Sequence, residues 1–104
     1  MHDITYFYAQ QCAENYLKAW LQEANIPFSK THNMNELLML IVPTIPAWSV
    51  WETDLSTLCK NAVDFRYPGK WATIGDMEYA MQICNQVRQA IREALKLPKN
   101  QLER

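Results

Sequence analysis

Hydrophobic residues recur along this chain at intervals of three and four, which is the period of an amphipathic α-helix. The pattern predicts four helices followed by a polar tail. They cover residues 3–25, 35–42, 46–64 and 74–97, and the tail covers 98–104. Short connections favour antiparallel packing of successive helices. We therefore expect one all-α domain over residues 1–104, an up-and-down antiparallel bundle of about four helices.

Prolines and capping residues mark the predicted boundaries. Pro27 disfavours helix at the residue before it, and Pro46 is suited to the first turn of the third helix. Thr31 or Asn33 could cap the second helix. The last helix has a capping box in which Thr73 is followed three residues later by an aspartate.

The first helix has two apolar stripes and one polar stripe, so we expect it to be buried from more than one side. One apolar stripe contains Ile4, Phe7, Gln11, Leu17, Leu21 and Ala24, and the other contains Ala9, Ala13, Tyr16 and Trp20. Gln10, Glu14 and Lys18 form the polar stripe. Because Gln11 falls on an apolar face, we interpret Gln11, Glu14 and Lys18 as an internal polar brace or an interface. Glu14 and Lys18 could instead be a solvated ion pair or a catalytic pair.

Composition narrows the class of protein. Only two glycines and 49% hydrophobic residues favour helices over a sheet with many turns. A net charge of -1 limits any nucleic-acid binding to a local patch. Three scattered cysteines without a CxxC pair suggest reduced thiols in a cytoplasmic protein, and no histidine and cysteine spacing suggests a metal site. No apolar run is long enough for a membrane span, and no cofactor is expected.

Two segments carry candidate phosphate-binding residues. Arg66 could hold a phosphate through paired donors, or it could pair with Glu14 or Asp64 and fix its loop. Lys30, Thr31 and His32 precede the second helix, where an ammonium, a hydroxyl and free N–H groups could meet a phosphate. A histidine in this position could equally cap the helix or pack against a neighbour.

Aromatic residues near these segments have two interpretations. Trp48, Trp51, Trp71 and Tyr67 could stack on bases. Trp48 and Trp51 stand three residues apart, however, which is also typical of core or interface packing. Lys70 could bind a phosphate, although an ammonium is a poor base at neutral pH.

Three segments together resemble the HEPN domain family, the higher eukaryotes and prokaryotes nucleotide-binding domain. The glutamine helix of that family is matched by Gln10-Gln11-Cys12-Ala13-Glu14 and the residues around it. Its Lys-Thr-His connection is matched by Lys30-Thr31-His32, and its Arg-Tyr-Pro segment by Arg66-Tyr67-Pro68. The resemblance spans roughly residues 6–96.

The resemblance implies an all-α bundle that forms a homodimer and acts on or near nucleotides or RNA. It also implies a minimal nucleotidyltransferase as a partner, in a toxin–antitoxin pair. In ribonuclease members an arginine is followed four to six residues later by a histidine. Here no histidine occurs in the run from Tyr67 to Thr73, and His32 is a remote substitute. The missing histidine therefore argues against enzymatic activity.

The family also has a helix before the glutamine helix, and this chain starts directly at the glutamine helix. One apolar face of the first helix would then lack a cover, and we expect a second copy to cover it. The favoured function is a non-catalytic dimeric module for a nucleotide, RNA or a nucleotidyltransferase partner. The alternatives are a metal-independent ribonuclease with an altered site centred on Arg66, and a purely structural dimerisation module.

Overall fold

The computed structural model describes residues 2–96, with side chains from residue 3. This part of the chain contains no strand, and its all-α class is confirmed. The helices are α1 His2–Glu23, α2 Met34–Ile41, a 3₁₀ helix Pro46–Trp51, α3 Glu52–Asp64 and α4 Ile74–Ala94. The predicted end of the last helix at 97 and the polar tail at 98–104 lie outside the described residues.

Helix α1 is the central element, since α2, α3 and α4 all pack on it and α4 does so most extensively. Its buried arc consists of Tyr6, Ala9, Ala13, Glu14, Leu17, Trp20 and Leu21. The small residues Ala9 and Ala13 let neighbouring helices approach closely. None of the helices in residues 2–96 is both long and apolar enough to cross a membrane.

The predicted assignment of one α1 stripe to the core is wrong at three positions. Ile4, Gln11 and Ala24 are exposed, although their spacing of three, four or six residues placed them on one predicted stripe with the buried Leu17. At 100° per residue, Ile4 and Gln11 turn well away from Leu17. They lie instead on an outward face of α1 together with Tyr8.

Helix α1 ends two residues earlier than predicted. Asn25 adopts φ 59°, a left-handed conformation that asparagine tolerates, and the N–H of Ile26 donates to the carbonyl of Leu21 at 2.9 Å. This is the hydrogen bond of a Schellman C-cap. The chain therefore turns at Asn25 before Pro27 is reached.

The predicted third helix begins with a 3₁₀ segment. In a 3₁₀ helix, side chains three residues apart eclipse one another. Trp48 and Trp51 stack in this way, with ring centroids 4.9 Å apart, and Trp20 contacts Trp48 edge-on at 6.0 Å. Both indoles of the 3₁₀ helix are buried, so they pack in the core rather than stack on bases.

Local capping follows the sequence closely in α2 and α4. The side chain of Asn33 accepts hydrogen bonds from the N–H groups of Asn35 and Glu36, so Asn33 is the cap of α2. The Thr73 hydroxyl accepts from the N–H of Asp76 at 3.1 Å, and the Asp76 carboxylate accepts from the N–H of Thr73 at 2.9 Å. The capping box of the last helix is confirmed.

Alkaline conditions will destabilise the protein through Tyr6. Its phenol is buried against α3, donates to the carbonyl of Leu58 at 3.4 Å, and contacts Phe65 edge-on. Burial raises the pKa of Tyr6 to about 12. Above about pH 10 the unfolded phenol loses its proton while the folded one keeps it. The contribution of the protonated Tyr6 phenol to the unfolding free energy is complete below about pH 10. It is therefore lost as the pH rises towards 12.

Urea unfolding followed by circular dichroism between pH 9 and 12 measures this loss. Tyr6→Phe will show a shallower decline than the wild type across that range. Tyr8→Phe, which alters an exposed phenol on the same helix, will follow the wild-type profile. Identical profiles for Tyr6→Phe and the wild type would show that Tyr6 does not titrate in this way.

Candidate functional site

The segment between α3 and α4 is a turn fixed at both ends. The N–H of Lys70 donates to the carbonyl of Tyr67 at 3.2 Å, with Pro68 and Gly69 between them. Gly69 has φ 84°, as the third position of a type II turn requires. At the far end, the Asp3 carboxylate accepts a hydrogen bond from the N–H of Ala72 and ties the segment to the start of α1.

Four side chains of this segment point into solvent. Tyr67 is 60% exposed, Trp71 is 71% exposed, and Arg66 and Lys70 are also exposed. We call residues 66–71 the contact loop. The contact loop has two aromatic faces and two cationic groups. Proteins that bind single-stranded nucleic acids combine the same two kinds of side chain.

Arg66 is held by an aromatic ring and not by a carboxylate. Its guanidinium carbon lies 5.8 Å from the centroid of the Phe7 ring. Within residues 3–96 Arg66 forms no ion pair with Glu14 or Asp64, so the structural ion pair proposed as an alternative is wrong. The donors of the guanidinium remain available for a ligand.

Glu14 is the buried carboxylate of the described chain, only 1% exposed on α1. Lys18 Nζ lies 2.9 Å from Glu14 Oε2, and His32 Nδ1 lies 3.0 Å from the same oxygen. The interpretation of Glu14 and Lys18 as a solvated ion pair is therefore wrong for the carboxylate. Glu14 joins α1 to the connection before α2.

His32 is fixed on one side and open on the other. Its side chain is 84% exposed, although Nδ1 contacts both oxygens of Glu14. A carboxylate only accepts hydrogen bonds, so Nδ1 carries the hydrogen and Nε2 is the outward nitrogen. The thiol of Cys59 on α3 lies 3.9 Å from the carbonyl oxygen of His32 and secures the backbone.

Part of the predicted phosphate site before α2 is occupied by local capping bonds. The hydroxyl of Thr31 accepts from the N–H of Asn33 at 3.0 Å, and the Asn33 side chain occupies the first N–H groups of α2. The N–H groups of Asn33, Asn35 and Glu36 are therefore already bonded within this segment. Lys30 is exposed and makes no ion pair within the described residues.

Gln11 does not belong to an internal brace. It is exposed on α1 and donates from Nε2 to Asn15 Oδ1 at 3.1 Å. An internal role is wrong for Gln11 because its side chain turns away from the other helices. Its role at an interface stays a prediction.

Arg66 and His32 lie along the same edge of α1. Arg66 sits over Phe7, and His32 sits on Glu14. Phe7 and Glu14 are seven residues apart, which is almost two full turns and about 10 Å along the helix axis. Two candidate residues that are 34 positions apart in sequence therefore contact the same edge of α1.

Burial disfavours the thiolate form of two of the three cysteines. Burial raises the pKa of the Cys84 thiol to about 12, and the adjoining Cys12 thiol adds to that rise. Burial also raises the pKa of the Cys59 thiol. Residues 3–96 contain no group of three histidine, cysteine or acidic side chains able to hold a metal ion.

Sequence reasoning missed two residues that shape the site. Phe7 supports Arg66, and Asp3 anchors the end of the contact loop. Both precede the glutamine segment of α1, where no local pattern indicates a contact with residues more than 55 positions away. An acidic residue in the first turn of α1 would be expected simply to favour the helix dipole.

Comparison with known domains establishes the family of this chain. The sequence model of the HEPN domain matches residues 1–94, which is most of the chain. The chain belongs to the HEPN domain family. Searches of curated proteins and of solved structures gave no significant match.

Membership of the HEPN family agrees with the all-α fold and confirms the family that the sequence resembles. HEPN domains commonly dimerise and bind nucleotides or RNA, so the family supports a nucleotide- or RNA-related module. The assignment of this chain to an Arg-Tyr-Pro form stays a prediction, as do its partners.

Proposed function

We propose that this HEPN domain is a dimeric binding module for single-stranded RNA or its nucleotides, with the contact loop as its binding surface. The observation that carries the proposal is the set of exposed side chains on residues 66–71. Two are aromatic and two are cationic, and neither cation forms an ion pair within residues 3–96.

The chemistry of each side chain suits one part of a nucleotide. The Arg66 guanidinium offers paired donors that match two phosphate oxygens, and Lys70 supplies a compact positive charge. Tyr67 and Trp71 offer flat faces on which bases of any sequence can stack. The type II turn and the Asp3 anchor hold these groups on one short loop.

Fluorescence anisotropy with a labelled single-stranded RNA hexamer tests the proposal. The double variant Arg66→Ala and Lys70→Ala will bind more weakly, and its slope of log affinity against log salt will be shallower by roughly 0.7 per lost phosphate contact. Lys60→Ala removes an exposed cation from α3 and serves as the control. No binding by the wild type, or equal slopes for all three proteins, would contradict the proposal.

The outward face of α1 supports the dimeric part of the proposal. Ile4 and Tyr8 are mostly exposed there, and a cavity is lined by Tyr8, Gln11, Cys12, Asn15, Tyr16 and Ala19. A second copy packed on this face would remove the apolar side chains from water, at about 25 cal/mol per Å² buried. The Phe7 and Glu14 edge would then lie beside the interface.

Light scattering over a dilution series tests the dimer. The wild type will have twice the monomer mass, and Tyr8→Glu will have the monomer mass because it places a charge at the centre of the face. Val50→Glu alters an equally exposed apolar residue elsewhere and will remain dimeric. A folded wild type that is monomeric at every concentration would exclude this part of the proposal.

A ribonuclease with an altered site centred on Arg66 is the second candidate. Its supporting observation is that an exposed imidazole, His32, lies on the same edge of α1 as Arg66. Incubation of the protein with RNA in EDTA tests for metal-independent cleavage. Cleavage that disappears in Arg66→Ala would support the enzyme, and intact RNA would support the binding module.

Pairing with a minimal nucleotidyltransferase in a toxin–antitoxin setting is a further prediction from the family. Co-purification from the native cell would identify such a partner. A dimer that binds no RNA, no nucleotide and no nucleotidyltransferase would instead favour a purely structural dimerisation module.

A further inference from the structure

We propose that His32, oriented by Glu14, is a second contact point that bonds a ribose 2′-hydroxyl and makes the domain prefer RNA to DNA. This inference rests on the proposed RNA binding at the contact loop. It adds a residue from a distant segment and a chemical basis for discrimination between the two nucleic acids.

The orientation of the imidazole is the first support. Glu14 is almost fully buried and holds His32 Nδ1 at 3.0 Å, while the rest of the ring is exposed. A carboxylate on one ring nitrogen fixes the direction in which the other nitrogen points. His32 Nε2 makes no hydrogen bond within the described residues and faces solvent.

The chemistry of a ribose hydroxyl suits this nitrogen. With Nδ1–H bonded to Glu14, Nε2 is an acceptor in the neutral imidazole and a donor in the charged one. A 2′-hydroxyl both donates and accepts, so it can bond Nε2 in either case. The 2′-hydroxyl is also the group by which a protein distinguishes RNA from DNA.

Glu14 does not need His32 to balance its charge. Lys18 Nζ already lies 2.9 Å from the same carboxylate oxygen, and this lysine is itself largely buried. The imidazole therefore adds an outward-facing polar group to a pair that is already neutral.

The spacing of the two contact points sets the length of the ligand. Phe7, which supports Arg66, and Glu14, which holds His32, are about 10 Å apart along the axis of α1. A stacked strand advances about 3.4 Å per nucleotide, so this distance corresponds to roughly three nucleotides. A mononucleotide can reach Arg66 but cannot reach both residues.

A length series of oligouridylates and oligodeoxyuridylates, from one to six nucleotides, tests the inference by anisotropy or calorimetry. The wild type will bind the RNA hexamer roughly three- to tenfold more tightly than the DNA hexamer, the effect of one hydrogen bond. The preference will be absent for the mononucleotide and will emerge at about three nucleotides.

Two amide variants separate binding from structure. His32→Asn places an amide N–H near the position of Nδ1, so it can keep the bond to Glu14 while the outward nitrogen is lost. His32→Gln extends an amide towards the position of Nε2 and will retain part of the preference. His32→Asn will bind RNA and DNA hexamers equally, with little change in DNA affinity. Lys60→Ala, an exposed lysine on α3, will keep the wild-type ratio.

The outcomes distinguish the two proposals. An RNA preference that persists in His32→Asn, while Arg66→Ala weakens both hexamers, would overturn the role of His32 alone. Failure of the wild type to bind either hexamer would overturn the RNA-binding proposal and this inference together. Unfolding curves of each variant establish whether a lost preference accompanies a folded protein.

Discussion

Trp71→Ala will weaken binding of a single-stranded RNA hexamer by roughly five- to 150-fold, the range for loss of one aromatic–base stack of about 1–3 kcal/mol. Trp71 is 71% exposed, so its removal will leave the unfolding free energy nearly unchanged. Trp71→Phe will retain much of the affinity because a phenyl ring still offers a stacking face.

Tryptophan fluorescence measures this contact directly. Trp20, Trp48 and Trp51 are buried, so Trp71 is the indole that RNA can reach. RNA will quench the emission of the wild type and will have little effect on Trp71→Phe. Equal affinity of Trp71→Ala and the wild type would show that the exposed indole does not stack on a base.

Leu58→Ala will reduce the unfolding free energy by about 2–5 kcal/mol, the usual cost of a fully buried leucine. Leu58 has no exposed surface and lies on the face of α3 that meets Tyr6 of α1. The substitution removes apolar contacts and leaves a cavity. Because α3 leads directly into Arg66, the position of the contact loop depends on the same packing.

Urea unfolding at neutral pH measures the loss, with Val63→Ala as the matched control. Val63 lies five residues further along the same helix and is more than half exposed, so it will cost less than about 0.5 kcal/mol. Comparable stability of the two variants would mean that α3 does not pack on α1 through Leu58.

Elements defined by neighbouring residues could be predicted from the sequence. The capping box of Thr73 and Asp76 and the cap at Asn33 depend on side chains that reach only two or three positions along the chain. The change from a 3₁₀ segment to α-helix at Trp51 could not be predicted. A pair of apolar residues three apart, such as Trp48 and Trp51, fits either helix.

The sequence pattern could not show which residues of α1 face the other helices, for a different reason. Apolar residues cover most of its circumference, so periodicity did not show which face meets the other helices. Gln11 was interpreted as part of an internal brace or an interface and is exposed, while Glu14 is buried. The positions of the neighbouring helices decide which residues of α1 are buried and which are exposed.

In the candidate site, too, the sequence indicated individual residues but not how they are arranged. The sequence indicated Arg66 and His32 as separate candidates, and their common edge exists only because α3 and the connection before α2 both pack on α1. Arg66 was weighed as a partner of Glu14, yet its neighbour is Phe7. Glu14 and Phe7 lie about two turns apart on α1, and the sequence alone does not show which of them is the neighbour of Arg66.

Ultraviolet cross-linking of a single-stranded RNA hexamer to the purified protein, followed by mass spectrometry, tests the central claim most directly. The account predicts that the cross-linked nucleotide maps to Tyr67 or Trp71, and that Arg66→Ala reduces the yield. Cross-links confined to another surface, or none at a concentration that saturates binding, would contradict the contact loop as the RNA-binding surface.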